Sequence, residues 1–251
     1  MARFYRHLVL FAAMAFSLAV VASAATAPGT PESGPIYAGH VTIDLATGLS
    51  RFTPAPTVQD VVGDVYANTT TPLFGYSTTD LAAILGDRVT TTGAGVLDQN
   101  DFSVFNSSAS AGPLLTAQFL LSFYDAPTVT PLGAYLTSTV TFGGGAGLPA
   151  GYYTIVSVTG LSALNIGLPT DVLITQQIYA YTGTTTRMGI VSFDPPTIGS
   201  SPAYMYVSST TLPAGYYNLS SGNANPGYRI NVINVVPTRN TTWGQLKQLY
   251  R

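Results

Sequence analysis

Between Ala117 and Tyr124 apolar and polar positions alternate with a period of two: Ala117, Phe119, Leu121 and Phe123 fall on one side, Gln118, Leu120, Ser122 and Tyr124 on the other. That period belongs to a β-strand, and the first set predicts a core-facing stripe. Over Asp171 to Tyr181, Val172, Ile174, Ile178 and Ala180 share one side, interrupted by Gln176, while Thr175, Gln177, Tyr179 and Tyr181 point away. Shorter runs recur over 37–45, 61–66, 88–92, 101–105, 134–142, 152–158, 188–193, 204–207 and 229–236, bounded by Gly, Pro, Asn and Asp. About eleven short strands and no long helical period predict an all-β fold, an antiparallel two-sheet sandwich or a barrel. One stretch, 78–85, with Thr78 or Thr79 as cap and Asp80 early, predicts one or two helical turns.

The two ends follow other patterns. Arg3, Arg6 and His7 precede an apolar run from Leu8 to Val21 that closes on Ala22-Ser23-Ala24, the three-part form of a cleavable signal peptide over residues 1–24. The run is shorter than the roughly 20 residues that span a bilayer, so no membrane span is expected once it is removed. The mature N-terminus is expected at Ala25, or at Pro28 if cleavage follows Ala25-Thr26-Ala27. Residues 25–35 carry too much Pro, Gly and small polar character to bury a core and predict a linker. Residues 36–236 then form a single sandwich domain, and 237–251 a separate tail. Within the domain LPAGYY stands at 148–153 and again at 212–217, and in each copy Pro-Ala-Gly should turn the chain into a Tyr-led strand.

Composition narrows the function classes. Asp, Glu, Lys and Arg make up 8% of the chain, against about 25% in ordinary soluble proteins, so Thr, Ser, Asn, Gln and Tyr must wet the surface. Such a hydroxyl-rich face suits an extracellular β protein, secreted or displayed at the cell surface. Beyond residue 24, seven basic residues against eleven carboxylates leave a net charge of −4 with no basic cluster, which argues against nucleic acid as a partner. The chain has no cysteine, so its core must hold it together without disulfides, and a bacterial source is expected.

The order GDRVT (86–90), VLDQNDFSVF (96–105), LLTAQFLLSFYD (114–125), LPAGYYTIVSV (148–158) and PTIGSSPAYMY (196–206) resembles a family of bacterial secreted β-sandwich domains of unassigned function. Members often precede a C-terminal surface-sorting signal. The likeness covers most of residues 60–236 and implies a jelly-roll-like sandwich and an exported life; its motifs are structural landmarks and carry no activity across. The tail TTWGQLKQLYR (241–251) resembles the short Trp-Gly-containing ends of some secreted bacterial proteins. Physically, Thr242 can cap a short amphipathic helix on which Trp243, Leu246 and Leu249 gather with Tyr250, and Lys247 and Arg251 suit its negative end. That apolar stripe should dock, either on the sandwich or, as a sorting tag, on a partner.

Catalytic parts are scarce. Beyond the signal the chain has one histidine, His40, with Asp44 four residues on along the same strand face, and one glutamate, Glu32. No serine sits in a nucleophile-elbow context to complete a triad, and no pair of aspartates stands out for glycoside hydrolysis, so a non-catalytic protein is the leading expectation and a glycan-active enzyme the weakest. Asp98, Asn100 and Asp101 cluster as DQND, an oxygen-rich set that suits a structural Ca²⁺ and equally suits a turn at a strand entrance. Tyr179 with Tyr181, and Tyr204 with Tyr206, each share a strand face and would form an aromatic platform for an extracellular glycan or another surface component.

Overall fold

In a computed structural model the described residues are 30–54, 63–218 and 225–233. The signal peptide, the earlier part of the linker and the tail with Trp243, Leu246 and Leu249 lie outside them. In chain order the strands are β1 (Thr30–Ser33), β2 (Ile36–Asp44), β3 (Ser50–Thr53), β4 (Asp64–Ala67), β5 (Pro72–Thr78), β6 (Ile84–Thr90), β7 (Gly95–Asn106), β8 (Leu114–Asp125), β9 (Thr130–Leu136) and β10 (Val140–Thr141). There follow β11 (Tyr152–Thr159), β12 (Gly167–Leu168), β13 (Asp171–Gly183), β14 (Met188–Phe193), β15 (Met205–Ser208), β16 (Gly215–Tyr217), β17 (Asn225–Pro226) and β18 (Tyr228–Ile233). Two short 3₁₀ turns, Phe142–Gly145 and Leu161–Leu164, complete the regular structure of these residues. Among them no helix is long and apolar enough to cross a membrane.

The strands form two packed sheets. The small sheet runs β10-β8-β13-β6-β15-β16, with β9 beyond β8. The large sheet follows the path β1-β5-β14-β7-β11-β2-β3, with β18 and β4 branching from the long strand β7. The expected all-β, two-sheet class is present, with two differences. The large sheet is curled and mixed: β2 and β11 run parallel, Tyr152 opposite Ile36 and Thr159 opposite Asp44. Strands also number well above eleven, because short edge pieces such as β3, β12 and β17 are too brief to show a period.

Burial follows the alternation. Ala117, Phe119, Leu121 and Phe123 are buried on β8 and share one core with Val172 and Ile174 of β13 and with Val41, Ile43, Phe102, Val104, Val156 and Ile230 of the large sheet. Phe102 and Phe119 meet edge-on across the gap, ring centres 5.2 Å apart. A smaller cluster of Phe105, Tyr153, Ile155, Val191 and Phe193 lies on the opposite face of the large sheet, inside its curl. Gly75 belongs to this packing: a Cβ there would stand 2.3 Å from the Phe105 ring, so glycine makes the room the ring occupies.

Two segments differ from expectation. The described end of the linker, 30–33, is an edge strand pairing antiparallel with β5, Glu32 opposite Gly75. Its anchor is electrostatic: the Glu32 carboxylate accepts Ser77 Oγ (2.7 Å), Ser107 Oγ (2.5 Å), Ser108 N (2.8 Å) and Ser108 Oγ (2.6 Å). Burial raises its pKa, and these bonds from Ser107, Ser108 and Ser77 outweigh that and hold it below the usual range. The stretch 78–85 is not helical; Thr78 Oγ1 accepts Asp80 N (3.0 Å), Asp80 Oδ1 accepts Ala82 N (3.1 Å), and the chain enters β6 at Ile84. Side chains that could have capped a helix close a turn instead. The two LPAGYY corners do both lead into strands, β11 and β16, but only the first uses a left-handed glycine, Gly151 at φ 83°.

Candidate functional site

The outward face of the small sheet carries the most developed surface cluster. Directly paired residues share a face, so the register gives a row across the sheet: Tyr216 opposite Tyr206, Tyr206 opposite Gly86, Gly86 opposite Thr175, Thr175 opposite Ser122. One step along, Arg88 lies opposite Leu173 and Leu173 opposite Tyr124. Tyr204, just ahead of β15, turns its ring to Tyr216 with centres 5.0 Å apart, and Tyr206 meets Tyr216 edge-on at 5.5 Å. Arg88 makes a two-pronged ion pair with Asp171, donating through Nε and a terminal nitrogen. Leu173 and Thr175 face outward yet are buried, flanked by these rings and the Arg88 stem. Gly86 cannot be larger, since a Cβ would come within 2.3 Å of the Ile174 carbonyl.

Partial burial raises the Tyr216 phenol to about 12 despite the downward pull of Arg88, and burial raises Tyr206 as well. Both are neutral at ordinary pH, able to donate and to accept. The Tyr216 hydroxyl is shielded from solvent and has no hydrogen-bond partner among the described residues. The patch therefore offers aromatic edges and a guanidinium paired to its carboxylate.

Of the four tyrosines expected to form a platform, Tyr204 and Tyr206 stand in this cluster and Tyr179 and Tyr181 do not. The reason is a bulge in β13. Ile178 pairs with Phe119 but Ala180 pairs with Gln118, so Tyr179 is an extra residue and the alternation inverts beyond it. Tyr181 then lies opposite Ala117, on the side Ala180 was expected to occupy, and the two tyrosines, 66% and 43% exposed, share no continuous strand face. Tyr216, Tyr124 and the Arg88–Asp171 pair were missed. The signal for Tyr216 was the second LPAGYY, read only as a corner.

The DQND residues do not converge. They sit inside β7 rather than at a turn, so Asn100 and Asp101 point to opposite faces of the strand. Asn100 faces the core, where Tyr135 Oη donates to its Oδ1 (2.9 Å) and its Nδ2 reaches the Arg229 carbonyl (3.0 Å). Asp101 faces the other way, accepts Ser157 Oγ (2.5 Å) and Gln99 Nε2 (2.9 Å), and lies 3.2 Å from Arg229 Nε. Among the described residues no group of three His, Asp or Glu side chains is arranged to hold a metal ion. His40 is half-buried on β2 near Asp101 and Arg229; burial lowers its pKa first, Asp101 opposes that and Arg229 adds to it. Asp44 caps the turn after β2 by accepting Ala46 N (2.8 Å) and Thr47 N (3.2 Å), so it is not aligned behind His40.

One carboxylate sits among the apolar side chains of the core. On β6, Leu85, Asp87 and Val89 alternate inward, and Asp87 is fully buried between the sheets. Ser201 Oγ donates to its Oδ2 (2.8 Å), and its Oδ1 has no partner. The buried hydroxyls of Tyr66 and Tyr228 stand close by, likewise without aligned hydrogen bonds. Burial lifts the Asp87 carboxyl well above the usual range, against the pull of Ser201 and the Arg88 amide. No protein-family model matches this chain, and no curated protein and no solved structure matches it significantly.

Proposed function

We propose that the protein is a non-catalytic interaction protein of the cell exterior, exported through its N-terminal signal, with the outward tyrosine–arginine face of the small sheet as its contact surface. A jelly-roll-like origin for the sandwich is part of this reading, with one parallel pair added in the large sheet. The observation that carries it is the meeting of Tyr204, Tyr206 and Tyr216 beside the Arg88–Asp171 pair, a ring cluster on an outward face. Core packing does not require aromatic residues on an outward face, and tyrosine there suits contact with something amphipathic.

A glycan fits as the partner. Pyranose rings present apolar faces to aromatic rings and hydroxyls to phenols and guanidinium groups, which are the groups assembled here. The test is a glycan array probed with the purified domain and with a Tyr206→Ala/Tyr216→Ala double variant whose melting curve confirms folding. Signals on a defined glycan class that the double variant loses would support the reading. A silent array, or signals that the double variant keeps, would refute it.

A further inference from the structure

We propose that the open edge of the small sheet, strand β9, pairs with β9 of a second copy of this chain, antiparallel across a two-fold axis at Tyr135. β9 joins its sheet through β8 alone, with Leu136 opposite Leu120 and Tyr135 opposite Leu121. Thr137 N donates to Phe119 O, so by the alternation of an antiparallel ladder Tyr135 and Gly133 also turn their backbone groups to β8. Ala134 and Leu136 turn theirs away from the sheet, where they have no backbone partner among the described residues.

An open ladder of this kind is a template for another strand, and sheets that must stay single blunt it with charge, brevity or proline. The other ends of the two sheets follow that rule: β1 and β3 have four residues each and carry Glu32 and Arg51, and β16 has three. β9 has seven residues, and its one proline, Pro131, stands near its start, ahead of the open positions. No Asp, Glu, Lys or Arg occurs from Ala126 to Thr170, a span that takes in β9 with its neighbours β10 and β12.

This edge suits a copy of itself. A strand without charge offers nothing to select a partner of opposite sign and nothing to repel its own image. With the axis at Tyr135, Ala134 of each copy lies opposite Leu136 of the other, and the open backbone groups of both residues gain their partners. The small Ala134 leaves room for the leucine facing it, and Leu136, 39% exposed in the single chain, meets its own image diagonally across the axis. A two-fold axis normal to the sheet also keeps the outward faces of both copies on one side of the joined sheet.

Sedimentation velocity of the purified protein over a wide range of concentration tests the pairing, and the expected result is a reversible monomer–dimer equilibrium. Ala134→Pro removes an N–H that points out of the sheet and none that bonds to β8, so it should fold and weaken association about tenfold or more. Leu136→Lys, which sets two like charges against each other across the axis, should do the same. Leu73→Lys changes a leucine of similar exposure (42%) on β5, far from this edge in the sheet order, and should leave the dimer intact. If Ala134→Pro does not fold, Leu136→Lys decides. A monomer at every concentration, a dimer that survives the edge variants, or one that Leu73→Lys dissolves equally would overturn the proposal, the last by showing general stickiness in place of strand pairing.

Discussion

Replacing Asp87 with asparagine should alter how stability responds to pH. In the folded protein the carboxyl is buried and keeps its proton well above the usual range, while in the unfolded chain it titrates near 4. Between those two values the folded state holds a proton that the unfolded chain has released, so stability falls as pH rises, by about 1.4 kcal/mol for each pH unit. The contribution is fully present below pH ~4 and declines through the window up to the raised folded value. Asparagine is close in size, can accept from Ser201 as Asp87 Oδ2 does, and cannot ionise. Urea melts of both proteins at half-unit steps from pH 4 to 8 give the stability difference directly. Other groups that titrate, among them Asp101, Glu32 and Asp80, remain in both proteins and cancel in that difference. The expected outcome is a variant that gains on the unaltered protein at about 1.4 kcal/mol per pH unit until Asp87 is ionised. A difference that stays flat across the range would show that Asp87 does not keep its proton in the folded core, and the reasoning from burial would fail.

Two further outcomes follow from the packing. Phe119→Ala and Phe123→Ala should each cost about 3 to 5 kcal/mol in denaturant melts, because both rings are buried at the centre of the inter-sheet core. Glu32→Ala should release β1 alone: amide exchange across the β1–β5 pairing should speed up while the β7–β11 pairing stays protected, since only the former depends on the carboxylate.

The strands that carry the core were legible where alternation ran unbroken, as along β8, where Phe119, Leu121 and Phe123 lie where their period puts them. Along β13 the same rule held as far as Ile178 and failed at Tyr179, because a bulge adds a residue without leaving any mark in a two-residue period. Strand β5 was hidden by its own composition. Pro72 and Gly75 read as turn signals, yet Gly75 is there to admit the Phe105 ring from another strand, a contact no local pattern announces. Two members of the outward cluster, Tyr204 and Tyr206, were readable from their spacing. Tyr216 joins it across the short β15–β16 pairing, whereas Tyr124 and Arg88 reach it only through the register of β8, β13 and β6, which links residues far apart in sequence. Asp87 did leave a trace: an acid between Leu85 and Val89 on an alternating stretch is a charge on an apolar face.

Strands β1 and β2 are joined by just Gly34 and Pro35, yet in the large sheet β5, β14, β7 and β11 lie between them. The sheet curls until the two ends of that path arrive at the same short piece of chain. A polypeptide made from its N-terminus therefore cannot complete this sheet in the order of its synthesis. β2 has its hairpin partner β3 at hand but waits for residues 152–159 on its other side, and β1 can join the sheet through β5 only once β14 has linked β5 to β7. β1, made early, is locked in place only after β14, and β4 only after β18, so folding should be slow, governed by distant pairings rather than by local hairpins.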